Sequence, residues 1–243
     1  MGAAVQREFG EEVVGWTVPE RPGPAVIQGR LARLERLDGE RHAGGLFAAN
    51  RADDAIWSYL PYGPFDRADD YRHWVDGMAG SADPYFYAIR SMGNGALGGV
   101  ASYLRITPGA GSIEVGHINL SPRLQRSAAA TEAMYLMMQW AFDAGYRRYE
   151  WKCDALNLPS RRAAERLGFS YEGLFRQATI VKGRNRDTAW FAVIDKDWPP
   201  LRDACRTWLA PENFDDTGQQ RRSLAALTAP VLVARDPVLQ ALG

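Results

Sequence analysis

Apolar and polar positions along this chain recur with two periods, and the switches between them mark its elements. From Val26, VIQGRLARLERL alternates as a first strand and turn. Residues 42–50 and 52–59 read as two short helices, and Asp66 stands where it would cap another through Tyr71, Trp74, Val75 and Met78. PYFYAIR, ending at Arg90, and LGGVASYLRI, starting at Leu97, predict a hairpin across Met92-Gly-Asn-Gly95, which is strong turn chemistry. A second turn, Thr107 to Gly111, leads into an apolar, β-branched strand from Ile113 to Leu120, so three antiparallel strands follow one another. Ser121-Pro122 stops the third. A helix then starts near Thr131, with Met134, Met137, Met138, Ala141 and Phe142 on one face and Gly145 closing it. Tyr146 to Asp154 is a further strand, and the strand-helix-strand order predicts a right-handed βαβ unit with a parallel pair. Asn157 to Phe169 is a helix ended by Gly168. Ser170 to Gln177 and Asp187 to Ile194 are the last two strands, and helices are expected at Leu201 to Leu209 and Gln219 to Leu227.

This order divides the chain into a proline-broken, extended arm (1–25) that Trp16 docks, a central α/β domain (26–198) and an apolar C-terminal extension (199–243) that packs on it. The extension covers the site, supports a homodimer or completes the core; the pattern leaves all three open. Composition changes this picture little. Hydrophobic residues are 46% and charged residues 24%, as in soluble globular proteins. Lysine plus arginine equals aspartate plus glutamate at 29 each, which argues against a broad nucleic-acid or anionic-membrane surface. No apolar run approaches the ~18 residues of a membrane span, and the N-terminus lacks the pattern of a signal peptide. The two cysteines, Cys153 and Cys205, lie far apart and form no metal spacing with the three histidines. They read as reduced thiols of a cytoplasmic protein, and no metal is expected.

Two stretches carry candidate chemistry. Leu124-Gln-Arg-Ser-Ala-Ala-Ala130 is a loop of small residues opening a helix, where free N–H groups and the helix dipole attract anions. An ordinary strand-loop-helix connection would look similar. Trp57 to Phe65 (WSYLPYGPF) is an aromatic turn, either a satellite core or the wall of a pocket. Trp57, Tyr59, Tyr62 and Phe65 are its candidate substrate contacts.

The order β, helices, βββ, loop-helix, β, helix, ββ resembles the GNAT acyltransferase superfamily. Ile118-Asn-Leu-Ser-Pro followed by Gln125-Arg-Ser-Ala-Ala-Ala-Thr-Glu-Ala133 resembles its pyrophosphate loop, Gln/Arg-x-x-Gly-x-Gly/Ala. Asn157-x-x-Ser160, Leu167-Gly-Phe169 and Glu172-Gly173 resemble the RimJ/RimL type of N-acetyltransferase. The resemblance implies a mixed sheet of about seven strands flanked by helices. It implies acetyl-CoA as cosubstrate, and direct transfer of its acetyl group to a primary amine, on a protein N-terminus or a small molecule. It places cofactor contacts at Ile118, Leu120, Gln125, Arg126, Ser127, Ala128, Ala129, Ala130, Thr131, Asn157 and Arg162, with Arg123 and Arg161 as further cations. Glu114 is the implied base, the Ile118 N–H the oxyanion donor, Asn157 a catalytic residue that reaches a water as well as a good N-cap for its helix, and Ser160 the group that protonates or holds the leaving sulfur. His117 is an alternative base and candidate substrate contact. Strict alternation puts it on the opposite face from Glu114, so at most one of the two faces the amine. Cys153 has no activating neighbour and reads as a packing residue. Two departures are visible. Ala128 stands where the family has its central glycine, and Ala164 where many members have a tyrosine acid. Both favour an alternative, a GNAT-fold module that binds acyl-CoA or a partner without catalysis.

Overall fold

The computed structural model describes residues 9–242; the first eight residues of the expected arm lie outside them. Strands β1 (Val26–Gln28), β2 (Ala32–Arg36), β3 (Tyr85–Ser91), β4 (Leu97–Thr107), β5 (Ser112–Leu120), β6 (Arg148–Asp154), β7 (Ser170–Val181) and β8 (Arg184–Ile194) form one sheet in the order β1-β2-β3-β4-β5-β6-β8-β7. Only β5 and β6 are parallel; every other neighbouring pair is antiparallel. The helices are α1 (Gly39–Asn50), α2 (Ala68–Ala79), α3 (Ala128–Asp143), α4 (Leu158–Arg166), α5 (Trp198–Leu209), α6 (Leu224–Thr228) and α7 (Pro237–Ala241). Among the described residues no helix is long and apolar enough to cross a membrane.

The sheet has eight strands rather than seven because the first alternating segment is a hairpin. Its turn is held from across the core: the buried carboxylate of Glu132 on α3 accepts the N–H groups of Arg30, Leu31 and Ala32 at 3.2, 2.5 and 2.7 Å. Residues 52–59 make only a 3-10 turn over Asp54–Trp57. Asp66 does not cap α2; Arg67 takes that position without a side-chain bond. α3 begins at Ala128, not Thr131, because Ser127 caps it by accepting the Ala130 N–H at 3.0 Å. The last hairpin extends to the two-residue turn Lys182-Gly183, both with positive φ (48° and 73°), so β7 and β8 are longer than periodicity suggested. Residues 219–223 are not helical, and Gln220 instead bridges Phe214.

One sheet face packs Leu34, Tyr87, Ile89, Tyr103, Ile113, Val115 and Tyr149 against Met137, Met138 and Ala141 of α3. Trp198, Leu201, Cys205, Trp208 and Leu224 of the C-terminal segment join the same core. The other face packs Leu37, Phe86, Ala88 and Val100 against Leu46, Trp57, Tyr71 and Val75. The arm lies on the surface, and Trp16 docks it by donating Nε1–H to the Gly145 carbonyl at 2.9 Å.

The fold opens at its centre. β5 and β6 pair from Ser112↔Arg148 to Val115↔Trp151 and no further, although both strands continue. A bulge on the other edge of β5 accompanies this. Between the pairs Ser102↔Gly116 and Val100↔Asn119, two residues of β5 oppose one of β4, and His117 takes the left-handed conformation (φ 50°).

Candidate active site

The diverging ends of β5 and β6 open into a cavity of about 1360 Å³. That exceeds the ~300–1,000 Å³ of an ordinary small-ligand pocket and leaves room for two reactants. Ile118, Leu120, Trp151 and Cys153 line its waist, Gln125 to Ala128 and Arg162 one end, and Tyr59 and the β7–β8 hairpin the other.

At the loop end the backbone provides the donors. Ser127 Oγ donates to the Leu124 carbonyl at 2.6 Å, and Gln125 Nε2 donates to the Leu120 carbonyl at 2.8 Å, so the loop is pinned to the strand before it. The N–H groups of Arg126, Ala128 and Ala129 have no acceptor among the described residues. The left-handed position of the loop is Arg126 (φ 57°); Ala128 is an ordinary first helical residue. An alanine in the glycine position therefore carries no backbone strain, and its N–H stays available. Arg162 lines the cavity, but Arg161 does not. Arg161 is buried, its Nε and Nη2 each 2.6 Å from the carboxylate of Asp236 before α7. Arg123 is exposed and also lies off the cavity. Free N–H groups at a helix N-terminus, small side chains and nearby guanidinium groups fit the diphosphate of a coenzyme A thioester. Gln125, Arg126, Ser127, Ala128, Ala130, Thr131 and Arg162 would hold it; Ala129 offers only its N–H.

At the waist Asn157 caps α4, its Oδ1 accepting the Ser160 N–H at 3.1 Å. Ser160 Oγ accepts the indole N–H of Trp151 at 3.0 Å, which turns the hydroxyl proton away from Trp151. Ser160 also lines the cavity. Cys153 is buried beside it, and burial raises its thiol to about 11, so at neutral pH it is not a thiolate. Ala164 is fully buried in the core and does not line the cavity.

At the other end strict alternation fails. Ile113 and Val115 face α3, so Glu114 faces the other side. The bulge turns His117 to that side as well: its ring stacks on Tyr62 (5.6 Å, 11°) and packs on Phe86 (5.1 Å). Glu114 and His117 thus share a face. Glu114 is only 3% exposed, and its carboxylate is 2.7 Å from Arg105 Nη1 and 2.9 Å from Lys152 Nζ. Lys152 also contacts Glu150 at 2.6 Å and sits 3.7 Å over the Trp190 ring. His117 Nδ1 lies 3.1 Å from the Tyr62 hydroxyl. Burial, then the charges of Arg105 and Arg186, lower its pKa to about 4, so the imidazole is neutral at pH 7.

The aromatic turn divides between its two readings. Trp57 is buried, edge-on to Phe65 (5.4 Å) and Tyr62 (6.1 Å), and none of these three lines the cavity. Tyr59 does, and its hydroxyl donates to the Leu156 carbonyl at 3.1 Å. Lys182, at the β7–β8 tip, donates to the Trp57 carbonyl at 2.9 Å. Sequence reasoning missed the wall these contacts close: Lys152, Phe175, Thr179, Arg186, Thr188 and Trp190. Alternation along β8 places Arg186, Thr188 and Trp190 on one face, but nothing local says that this face is uncovered. It also missed Arg166, one helical turn beyond Arg162 on α4.

A parallel pair that splays beside a phosphate-ready helix N-terminus is an arrangement that suits a coenzyme A-dependent acyltransferase. A model of the GNAT acetyltransferase domain matches residues 32–170. The chain is 45% identical to a GCN5-related N-acetyltransferase from Brucella melitensis, with a TM-score of 0.86 over 88% of this chain and 99% of that one. It is 38% identical to a probable GNAT-family acetyltransferase from Chromobacterium violaceum, with a TM-score of 0.75 over 81% of this chain and 99% of that one. The fold extends to RimL, a ribosomal L7/L12 alpha-N-protein acetyltransferase, at 22% identity and a TM-score of 0.60 over 70% of this chain and 93% of that one. No curated protein sequence matches the chain. The chain belongs to the GNAT acetyltransferase family and is an acyltransferase; enzymes of this family transfer an acetyl group from acetyl-CoA.

Proposed function

We propose that this enzyme is an N-acetyltransferase of the RimJ/RimL type that passes the acetyl group directly to a primary amine, on a protein N-terminus or a small molecule. The observation that carries the reading is the splay of β5 and β6 beyond Val115 and Trp151 into one cavity, with backbone donors at one end and a charged, aromatic wall at the other. The Asn157–Ser160 geometry at the head of α4 supports the type. Acetyl-CoA supplies the activated thioester. The free N–H groups at Arg126, Ala128 and Ala129 hold its diphosphate, and the end of β5 at Ile118 and Leu120, beyond its pairing with β6, orients the reacting end. The Ile118 N–H is the assigned donor to the carbonyl oxygen as charge develops. The C–S bond breaks as the C–N bond forms; Ser160, which accepts the Trp151 indole N–H, passes its hydroxyl proton to the leaving sulfur and regains one from solvent, which also takes the proton the nitrogen sheds.

Protonating Glu114 would break two ion pairs in a buried site, so we assign it to anchoring Arg105 and Lys152 rather than to removing the proton. His117 is neutral and within hydrogen-bond distance of the Tyr62 hydroxyl, but a base near pKa 4 is a poor match for an ammonium ion. The amine therefore attacks from its own deprotonated fraction. Direct attack is favoured because Cys153, the one cysteine at the cavity, is held as a thiol. The test is thiol release from acetyl-CoA with a panel of N-terminal peptides and small amines. At least one acceptor should raise the rate above hydrolysis; no acceleration by any of them would remove the amine-acceptor reading.

A further inference from the structure

The cavity does not end at the family's shared domain, whose match stops at residue 170. Trp208 on α5 and Phe214, Gly218, Gln219 and Gln220 beyond it close the end next to the loop. These residues form a built unit. The indole N–H of Trp208 donates to Gln220 Oε1 at 2.6 Å, and Phe214 packs edge-on against Trp208 (5.2 Å, 78°). Phe214 and Gln220 pair as a bridge, and Asp215 Oδ1 accepts the N–H groups of Thr217 and Gln219, each at 2.9 Å. Gln219 and the NH₂ of Gln220 make no side-chain hydrogen bond to another described residue.

Arg166 joins this unit to the loop. Its Nη1 donates to Thr131 Oγ1 in the first turn of α3 at 3.2 Å, and its guanidinium lies 5.1 Å from the Trp208 ring centroid. Among the described residues no carboxylate lies within ion-pair distance of it (4.0 Å). A partly desolvated guanidinium without a counter-ion, beside free N–H groups, calls for an anion.

We propose that the C-terminal extension is part of the donor site: Arg166, set by Thr131 and Trp208, binds a phosphate of the donor, and Phe214, Gln219 and Gln220 wall its nucleoside. The inference rests on the acetyl-CoA reading and adds a specificity to it. The site reads the nucleotide half of the donor through one residue of the shared domain, Arg166, and through Trp208, Phe214, Gln219 and Gln220 beyond it. An apolar ring and free amide groups suit a base and a ribose, which offer a π-face and polar edges.

The test compares acetyl-CoA, acetyl-dephospho-CoA and S-acetylpantetheine as donors with the full chain. Wild type should prefer acetyl-CoA over S-acetylpantetheine. Arg166→Gln should lose at least tenfold of that preference, through KM for acetyl-CoA. The double variant Gln219→Ala/Gln220→Ala, altered only in the loop, should lose about threefold. A dephospho-donor penalty that disappears in Arg166→Gln would assign Arg166 to the terminal phosphate; one that persists would assign it to the diphosphate. Preferences unchanged in both variants would overturn the proposal. A wild type that uses neither acetyl-CoA nor S-acetylpantetheine would instead overturn the cofactor reading beneath it.

Discussion

The two ends of the cavity are built from different materials. The donor end is made of backbone: a capped helix, three free N–H groups and a loop pinned to its own strand. The acceptor end is made of side chains from distant segments: Glu114 on β5, Lys152 on β6, Trp190 on β8 and Tyr59 before α2. A backbone site tolerates side-chain change as long as φ and ψ are kept, and Ala128, where the motif carries glycine, has ordinary helical backbone. A side-chain site of ion pairs stands or falls with each partner.

Substitutions can break this contrast. The largest effect is expected at the acceptor end. Glu114→Ala leaves Arg105 without its partner and Lys152 with Glu150 alone, and should lower unfolding free energy by about 3 kcal/mol, read by urea denaturation. A loss under about 1 kcal/mol would show that the cluster is not an anchor. Ser160→Ala should reduce turnover about tenfold, below the ~10²–10⁴ of a well-matched general acid, with little change in the acetyl-CoA dissociation constant. Unchanged turnover would take Ser160 out of the chemistry.

The pH dependence sharpens the contrast further. Because the folded-state pKa of His117 is lowered to about 4, its protonation falls below the working range and kcat/KM should show no limb near 6.5. The limb should follow the acceptor instead, rising through about pH 8 for an α-amine and about 10.4 for a lysine side chain. A limb fixed near 6.5 for both acceptors would restore a protein base. The smallest effect is expected at the rim, where Tyr59→Phe removes one half-exposed hydrogen bond to Leu156 and should cost about 0.5–1 kcal/mol, read as a few-fold rise in acceptor KM.

The same contrast governs what the sequence revealed. The donor end is local: a β-branched run, a proline stop, small residues and a helical stripe lie within about thirty consecutive positions. Asn157 and Ser160 were legible for the same reason, since a cap and its first turn are neighbours. The acceptor end was not. The bulge that brings His117 and Glu114 to one face puts a non-glycine residue at φ 50°, which no composition signal announces. The partners of Glu114 come from two other strands, Arg105 on β4 and Lys152 on β6. Arg161, one position from Arg162, was misjudged because its partner Asp236 lies 75 residues away.

The central claim, that backbone N–H groups seat the donor, is tested most directly by Ala128→Pro. Proline suits a first helical position and follows Ser127, whose φ of −92° and ψ of 158° it allows, so the fold should be kept while one N–H is removed. A charge-assisted hydrogen bond is worth roughly 1.5–3 kcal/mol. Calorimetry with coenzyme A should therefore show binding weakened by about tenfold or more, with the melting temperature unchanged. Equal affinity in Ala128→Pro and wild type would contradict the account.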